Sequence, residues 1–308
     1  MAEMRTAYGQ ALVELGGENE DIVVLDADLS ASTKTSMFRE AFPHRHFNAG
    51  IAESNMMGMA AGLAASGKIP FASTFAMFGT ARPYEVIRNL ICHPNLNVKI
   101  ACTHAGVTVG EDGATHQAIE DIAIMRALPN MRIYVPADAA QTTALVKKAA
   151  QEKGPTYIRM VRSACKDVYE EGEPALTKAA DVLKEGAHIS LFACGIMVEK
   201  ALSAADALKE KGIEAEVINV AQIKPLDEEV LIASAKKTGA VICCEEHSVI
   251  GGLSSAVAEL LAQKHPVKMA FVGIDDRFGQ SGKPDELLKE YQLTEIAIES
   301  KAQSLLNK

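Results

Sequence analysis

Glu53 and the segment 103–117 hold the side chains best suited to moving protons or binding anions. Glu53 stands in GIAESNM, directly ahead of a Met- and Gly-rich run, and so falls at the start of an apolar helix. A carboxylate there is largely desolvated, and burial raises a carboxyl pKa toward the range useful in acid–base work. The plainer reading is a first-turn carboxylate stabilised by the helix dipole. The segment THAGVTVGEDGATHQ (103–117) carries His104 and His116, Glu111 and Asp112, and the glycines 106, 110 and 113. Histidine suits proton transfer near neutral pH and, when charged, anion binding. A stretch this long without periodicity is either functional or a solvated surface loop.

Metal chemistry has less support. His44-x-His46 and Asp26-x-Asp28 have strand spacing, which puts each pair on one face. Glu245-Glu246-His247 ends a strand. None has the spacing of a closed zinc site, and no metal site is expected from this chain alone. The phosphate loop GxxxxGK[ST], the strand–GxGxxG–helix fingerprint and the GxSxG elbow are all missing, which argues against nucleotide-loop enzymes and serine hydrolases.

The elements that must position these residues alternate along the chain. RTAYGQALVELGG reads as a helix stopped by Gly16-Gly17, and IVVLDAD (22–28) as a buried strand. HFNAGIAE leads into the helix MMGMAAGLAAS, which is apolar all round and must be buried on most sides. PFAST, VKIACTH, RIYVPAD and TYIRMVR follow as strands with helical runs between them. Unbroken β-branched strands separated by helices predict a parallel sheet covered on both faces. Residues 166–184 are polar and acidic and read as a linker with room for a short hairpin. The alternation then restarts at HISLFACG and runs to a helical tail. The expectation is two doubly wound α/β domains, 1–165 and 185–308. In such sheets ligands bind beyond the carboxyl ends of the strands, where Asp26, Asp28, Thr74, Phe75, Thr103 and His104 fall.

The 308 residues suit two domains, and 48% hydrophobic with 23% charged residues is a globular balance that excludes extended disorder. Lys and Arg number 31 against 40 acids, a net charge of −9. An acidic chain is a poor nonspecific binder of nucleic acid or anionic membrane, so neither is expected as a partner. No apolar run approaches the roughly 20 residues that span a bilayer. The N-terminus has no signal-peptide hydrophobic region, and the six cysteines form no CxxC pair. A reduced, cytoplasmic protein is the expectation.

Together DADLSAS (26–32), NAGIAESNMMGMAAGLA (48–64), STFAMF (73–78), THAGVTVGEDGATHQ (103–117) and IKPLDEE (223–229) resemble, in order, segments of the C-terminal half of transketolase. The resemblance implies a pyrimidine-binding domain of the thiamin diphosphate enzymes followed by the family's C-terminal domain. Glu53 matches the glutamate that bonds a ring nitrogen of the cofactor's aminopyrimidine and promotes the imino tautomer that deprotonates the thiazolium carbon. Phe75 and Phe78 match the aromatic residues around that ring, and Asp28 lies near the pyrimidine site or the subunit interface. Arg5, Ser32, His104 and Arg162 match sugar-phosphate contacts. Asp112 and His116 match residues near the substrate's reacting carbon, so Glu53, His104 and His116 are the implied catalytic set. The chain departs from the family at Ala81, where a third aromatic is usual and Arg82 or Tyr84 stands nearby, and at Ala105, where Asp is usual.

The family's diphosphate-binding GDG…Asn pair does not occur here. The resemblance therefore implies the small subunit of a split transketolase. A separate N-terminal chain would supply the diphosphate site and the divalent cation, Mg or Ca, in an α2β2 assembly acting on sugar phosphates. The implied reaction is transfer of a two-carbon ketol unit from a ketose phosphate to an aldose phosphate, in carbohydrate metabolism: the pentose phosphate pathway or another sugar-supplying route. The alternatives are a deoxyxylulose-phosphate synthase, a 2-oxo-acid dehydrogenase beta subunit, or a noncatalytic binding subunit.

Overall fold

The computed structural model describes residues 2–170 and 172–306. The first sheet contains β1 (Ile22–Asp26), β2 (His46–Asn48), β3 (Ile69–Phe75), β4 (Lys99–Thr103), β5 (Arg132–Tyr134) and β6 (Thr156–Arg159), all parallel. The second contains β7 (Asp181–Lys184), β8 (Ile189–Ala193), β9 (Ala215–Asn219), β11 (Ala240–Ser248) and β12 (Lys268–Ile274). It is parallel except for β7, which runs antiparallel to β9. Every residue of β1, β4, β6, β8 and β9 is buried. Burial on both faces explains their continuous apolar runs in place of strict alternation.

Three features differ from the sequence reading. β10 (Gln222–Lys224), in the second half of the chain, crosses over and pairs antiparallel with β5 at the edge of the first sheet. The expected linker 166–184 is partly regular: it contains a 3-10 turn, Pro174–Thr177, and ends in β7. The first helix, Met4–Glu18, runs through Gly16-Gly17 without stopping. A Cβ on Gly16 would lie 2.6 Å from both the Phe38 and Phe42 rings, so packing, not termination, requires that glycine. One apolar cluster then runs from Leu25, Met56 and Ile100 to Phe192, Ile218 and Val241, joining the two sheets through a shared core.

The carboxyl ends of β1, β3, β4 and β6 lie along one edge of the first sheet, at Asp26, Phe75, Thr103 and Arg159. Helix Glu53–Ala65 packs on β3 and begins near that edge. Tyr8 on the first helix bonds Ser73 of β3, at 2.5 Å between the oxygens, which fixes the helix that carries Arg5.

Candidate active site

Glu53 is the first residue of its helix and is buried to 5% exposure. Both of its carboxylate oxygens accept from Arg82 Nη1, at 2.9 and 3.0 Å. The Arg82 side chain is half exposed, and its guanidinium lies 4.3 Å from the centroid of the Phe78 ring. Phe78 stacks on Phe75 with centroids 6.0 Å apart, and Phe75 stacks on His104 at 3.8 Å. His116 meets Phe78 edge-on at 5.1 Å and Phe75 at 6.5 Å. Five of the expected residues therefore form one continuous group: Glu53, reached through Arg82, then Phe78, Phe75, His104 and His116. The role of Arg82 as the partner of Glu53 was not readable in the sequence, where its only signal was its place beside Ala81.

His104 is buried at the carboxyl end of β4, in left-handed backbone conformation (φ 60°), with Nδ1 2.8 Å from Thr103 Oγ1. Burial, and then the nearby Arg5, Arg162 and His116, push its pKa down to about 3. It is a neutral imidazole at physiological pH, able to accept or donate one hydrogen bond at each nitrogen but not to act as a standing cation. His116 is half-buried, and its Nδ1 lies 3.0 Å from Thr115 Oγ1.

The expected phosphate contacts Arg5 and Arg162 both lie near His104 but are held by different partners. Arg5 is close enough to depress His104 and is itself held by Glu3 at 2.8 Å and by the Ser32 carbonyl at 3.2 Å. Its Nε is buried without a partner among the described residues. Ser32 rides on a turn held by the buried Asp26, which accepts from Thr33 and Thr35 hydroxyls at 3.0 and 2.9 Å. Arg162 donates to the Val109 carbonyl at 2.7 Å and pairs with Asp112 at 3.6 Å, with both side chains partly in solvent. Arg162, just after β6, thus packs on the 103–117 loop, to which Asp112 belongs. Asp28 takes a different place: exposed, it accepts from Asn48 Nδ2 at 3.0 Å at the β1–β2 edge.

The loop itself is not a solvated surface segment. Residues 103–110 are buried, Val107–Val109 form a 3-10 turn, and Glu111 and Asp112 alone in the GEDG turn face solvent. Among the described residues no group of three or more His, Cys, Asp or Glu side chains is gathered for a metal ion. No described helix is long and apolar enough to cross a membrane.

Residues 1–167 match the family model of the transketolase pyrimidine binding domain, and residues 178–298 that of the transketolase C-terminal domain. The chain belongs to the transketolase family. It is 52% identical over 293 residues to a Methanocaldococcus jannaschii protein carrying the provisional name transketolase C-terminal section, covering 94% of this chain and 92% of that one. It is 42% identical over 291 residues to the 6-deoxy-6-sulfo-D-fructose transketolase subunit of a Clostridium species, covering 94% and 90%. A solved structure described as a split gene transketolase, inactive beta4 tetramer, superposes with a TM-score of 0.91 at 55% identity, covering 100% of this chain and 99% of that one. Transketolases generally use thiamin diphosphate and a divalent cation.

Proposed function

We propose that this chain is the C-terminal subunit of a two-chain transketolase that moves a two-carbon ketol unit from a ketose phosphate to an aldose phosphate. The observation that carries the proposal is the Glu53–Phe78–Phe75–His104–His116 group at the sheet edge. Its donor set fits a flat aminopyrimidine. Phe75 and Phe78 offer stacked aromatic faces, and Glu53 is a buried carboxylate already answered by a planar N–H donor, Arg82. Thiamin diphosphate, when bound, supplies a nucleophilic carbon and stores the electrons of the broken carbon–carbon bond.

In this reading Glu53 holds a proton at a ring nitrogen, and Phe75 and Phe78 orient the ring and exclude water around it. Asp112 and His116 bond the substrate oxygens nearest the reacting carbon, and His104 bonds the sugar phosphate. His104 does so as a neutral donor, because its burial keeps it unprotonated. Arg5 and Arg162 take the phosphate end, where paired guanidinium bonds suit phosphate geometry. The diphosphate and the divalent cation fall to an N-terminal partner chain, in an α2β2 assembly. The description of the β-only neighbour as inactive agrees with that division.

The test is reconstitution. The purified 308-residue chain should bind thiamin diphosphate weakly and transfer no ketol unit. Adding an N-terminal transketolase chain with Mg2+ should give both tight binding and transfer. Full transfer by this chain alone would sink the proposal.

A further inference from the structure

The 103–117 loop is held from the other sheet. Glu246, near the end of β11, is buried, and its Oε1 accepts from the backbone N–H of Thr108 at 2.7 Å, across 138 residues of sequence. Gly106 lies directly beneath that carboxylate. It has φ +80°, and a Cβ there would sit 2.2 Å from Glu246 Cδ, so only glycine leaves space for the contact. The loop's stems are joined by the Gly106 N–H donating to the Ala118 carbonyl at 2.8 Å. Arg159, at the end of β6, fixes the carboxylate's backbone: Nη2 donates to the Glu246 carbonyl at 2.9 Å and to Ala118 at 3.3 Å, while Nε pairs with buried Asp121 at 2.8 Å. Gln117 adds a second tie, donating to Val107, to Gly110 and, at 3.0 Å, to the Gln280 carbonyl of the C-terminal domain.

We propose that Glu246 of the C-terminal domain is a positioning residue that clamps the 103–117 loop through the Thr108 amide and so sets where His104, Asp112 and His116 stand. Moving the stem at 106–108 displaces His104, two residues before it, and the GEDG turn that follows. The C-terminal domain then acts in catalysis without touching substrate. The inference rests on the assignment of this loop to the substrate site made above.

Amide hydrogen exchange of the full chain reads the clamp directly, and steady-state kinetics of the reconstituted two-chain enzyme reads its consequence. In wild type the Thr108 amide should exchange at least about 100-fold more slowly than that of exposed Glu111, since each ~1.4 kcal/mol of protection is tenfold. Glu246→Ala should erase most of that difference while β3 and β8 keep their protection. It should lower kcat about tenfold or more at unchanged thiamin diphosphate affinity. Glu246→Gln keeps a carbonyl acceptor for Thr108 and should restore both. A merely structural Glu246 would lower the melting temperature in both variants and leave kcat alone. Fast exchange at Thr108 in wild type overturns the clamp even if Glu246→Ala does not fold, and so does unchanged protection in folded Glu246→Ala. Loss of protection in Glu246→Ala, together with no ketol transfer by the wild-type pair, would leave the clamp standing and overturn the substrate assignment instead.

Discussion

Phe75 and His104 stack face to face with ring centroids 3.8 Å apart and planes 22° from parallel. They come from the ends of adjacent strands, β3 and β4, whose register sets Phe75 beside Thr103. The stack removes His104 from water, and that burial is the first cause of its low pKa. The unfolded imidazole takes up a proton near pH 6.5, and the folded one only near 3. Stability should therefore rise with pH through this window and be lost as pH falls from about 6.5 toward 3. NMR titration should show no His104 protonation between pH 5 and 8, and His104→Gln should flatten the acid limb of the melting curve. A His104 titration near 6.5 would contradict the buried geometry.

Glu53→Gln should keep the fold, because the side chain retains its shape and one acceptor for Arg82. In the reconstituted enzyme kcat should fall by about 10²–10⁴, the range for a lost acid–base group. Hydrogen–deuterium exchange at the cofactor's thiazolium carbon should slow in parallel. Near-normal exchange would remove Glu53 from the role.

Arg162 is half in solvent, which limits what its loss can cost. Arg162→Ala should lower kcat/KM for sugar phosphates about 10- to 100-fold, the worth of one charged hydrogen bond. Hydroxypyruvate with an unphosphorylated acceptor should be spared. Because Arg162 also supports Val109, an equal loss on both substrate sets would assign it to loop support alone.

Gly106→Ala would place a methyl inside the Glu246 carboxylate and force a left-handed alanine. A loss of about 2–4 kcal/mol is expected, combining backbone strain with overpacking. Urea unfolding of the full chain measures it, and a neutral result would mean the loop can shift freely.

Burial pushes the Glu246 carboxyl up to about 7, against the pull of Arg159 and the Thr108 N–H and with a push from Asp121. Glu245 and His247 are its charged or titratable neighbours on the same strand. The raised value means that its contribution is full below about 4.5 and is lost as pH rises through about 7. Glu246→Gln does not titrate. It should gain on wild type between pH 5 and 8 by on the order of 3 kcal/mol, from the width of the shift. Parallel unfolding curves at the two pH values would show that the carboxylate is better solvated than its burial implies.

Local signals pointed to some of the side chains that meet at this sheet edge. Glu53 is legible because a lone carboxylate opens an apolar helix, and His104 because a histidine ends a buried strand. Phe75 and Phe78 were placed around the aminopyrimidine only through the family resemblance; their stacking on each other follows from one helical turn after the end of β3. Asp28 was legible as a strand-end acid, but its partner Asn48 sits 20 residues away on β2. Gly16 misled because a glycine required by two neighbouring rings has the same letter as a helix stop.

By its own pattern the sequence determined the alternating strands and helices, the edge of the first sheet where polar residues gather, and the identities of the groups able to do chemistry there. Periodicity and strand-end polarity are short-range properties, so they survive in one dimension. The tertiary structure alone decided that Arg82 answers Glu53 across 29 residues, that β10 closes the first sheet from the second half of the chain, and that Glu246 reaches Thr108 across 138. Each of these rests on desolvation: a carboxylate or strand edge shut away from water must find a partner, and which partner is near depends on how the two sheets pack.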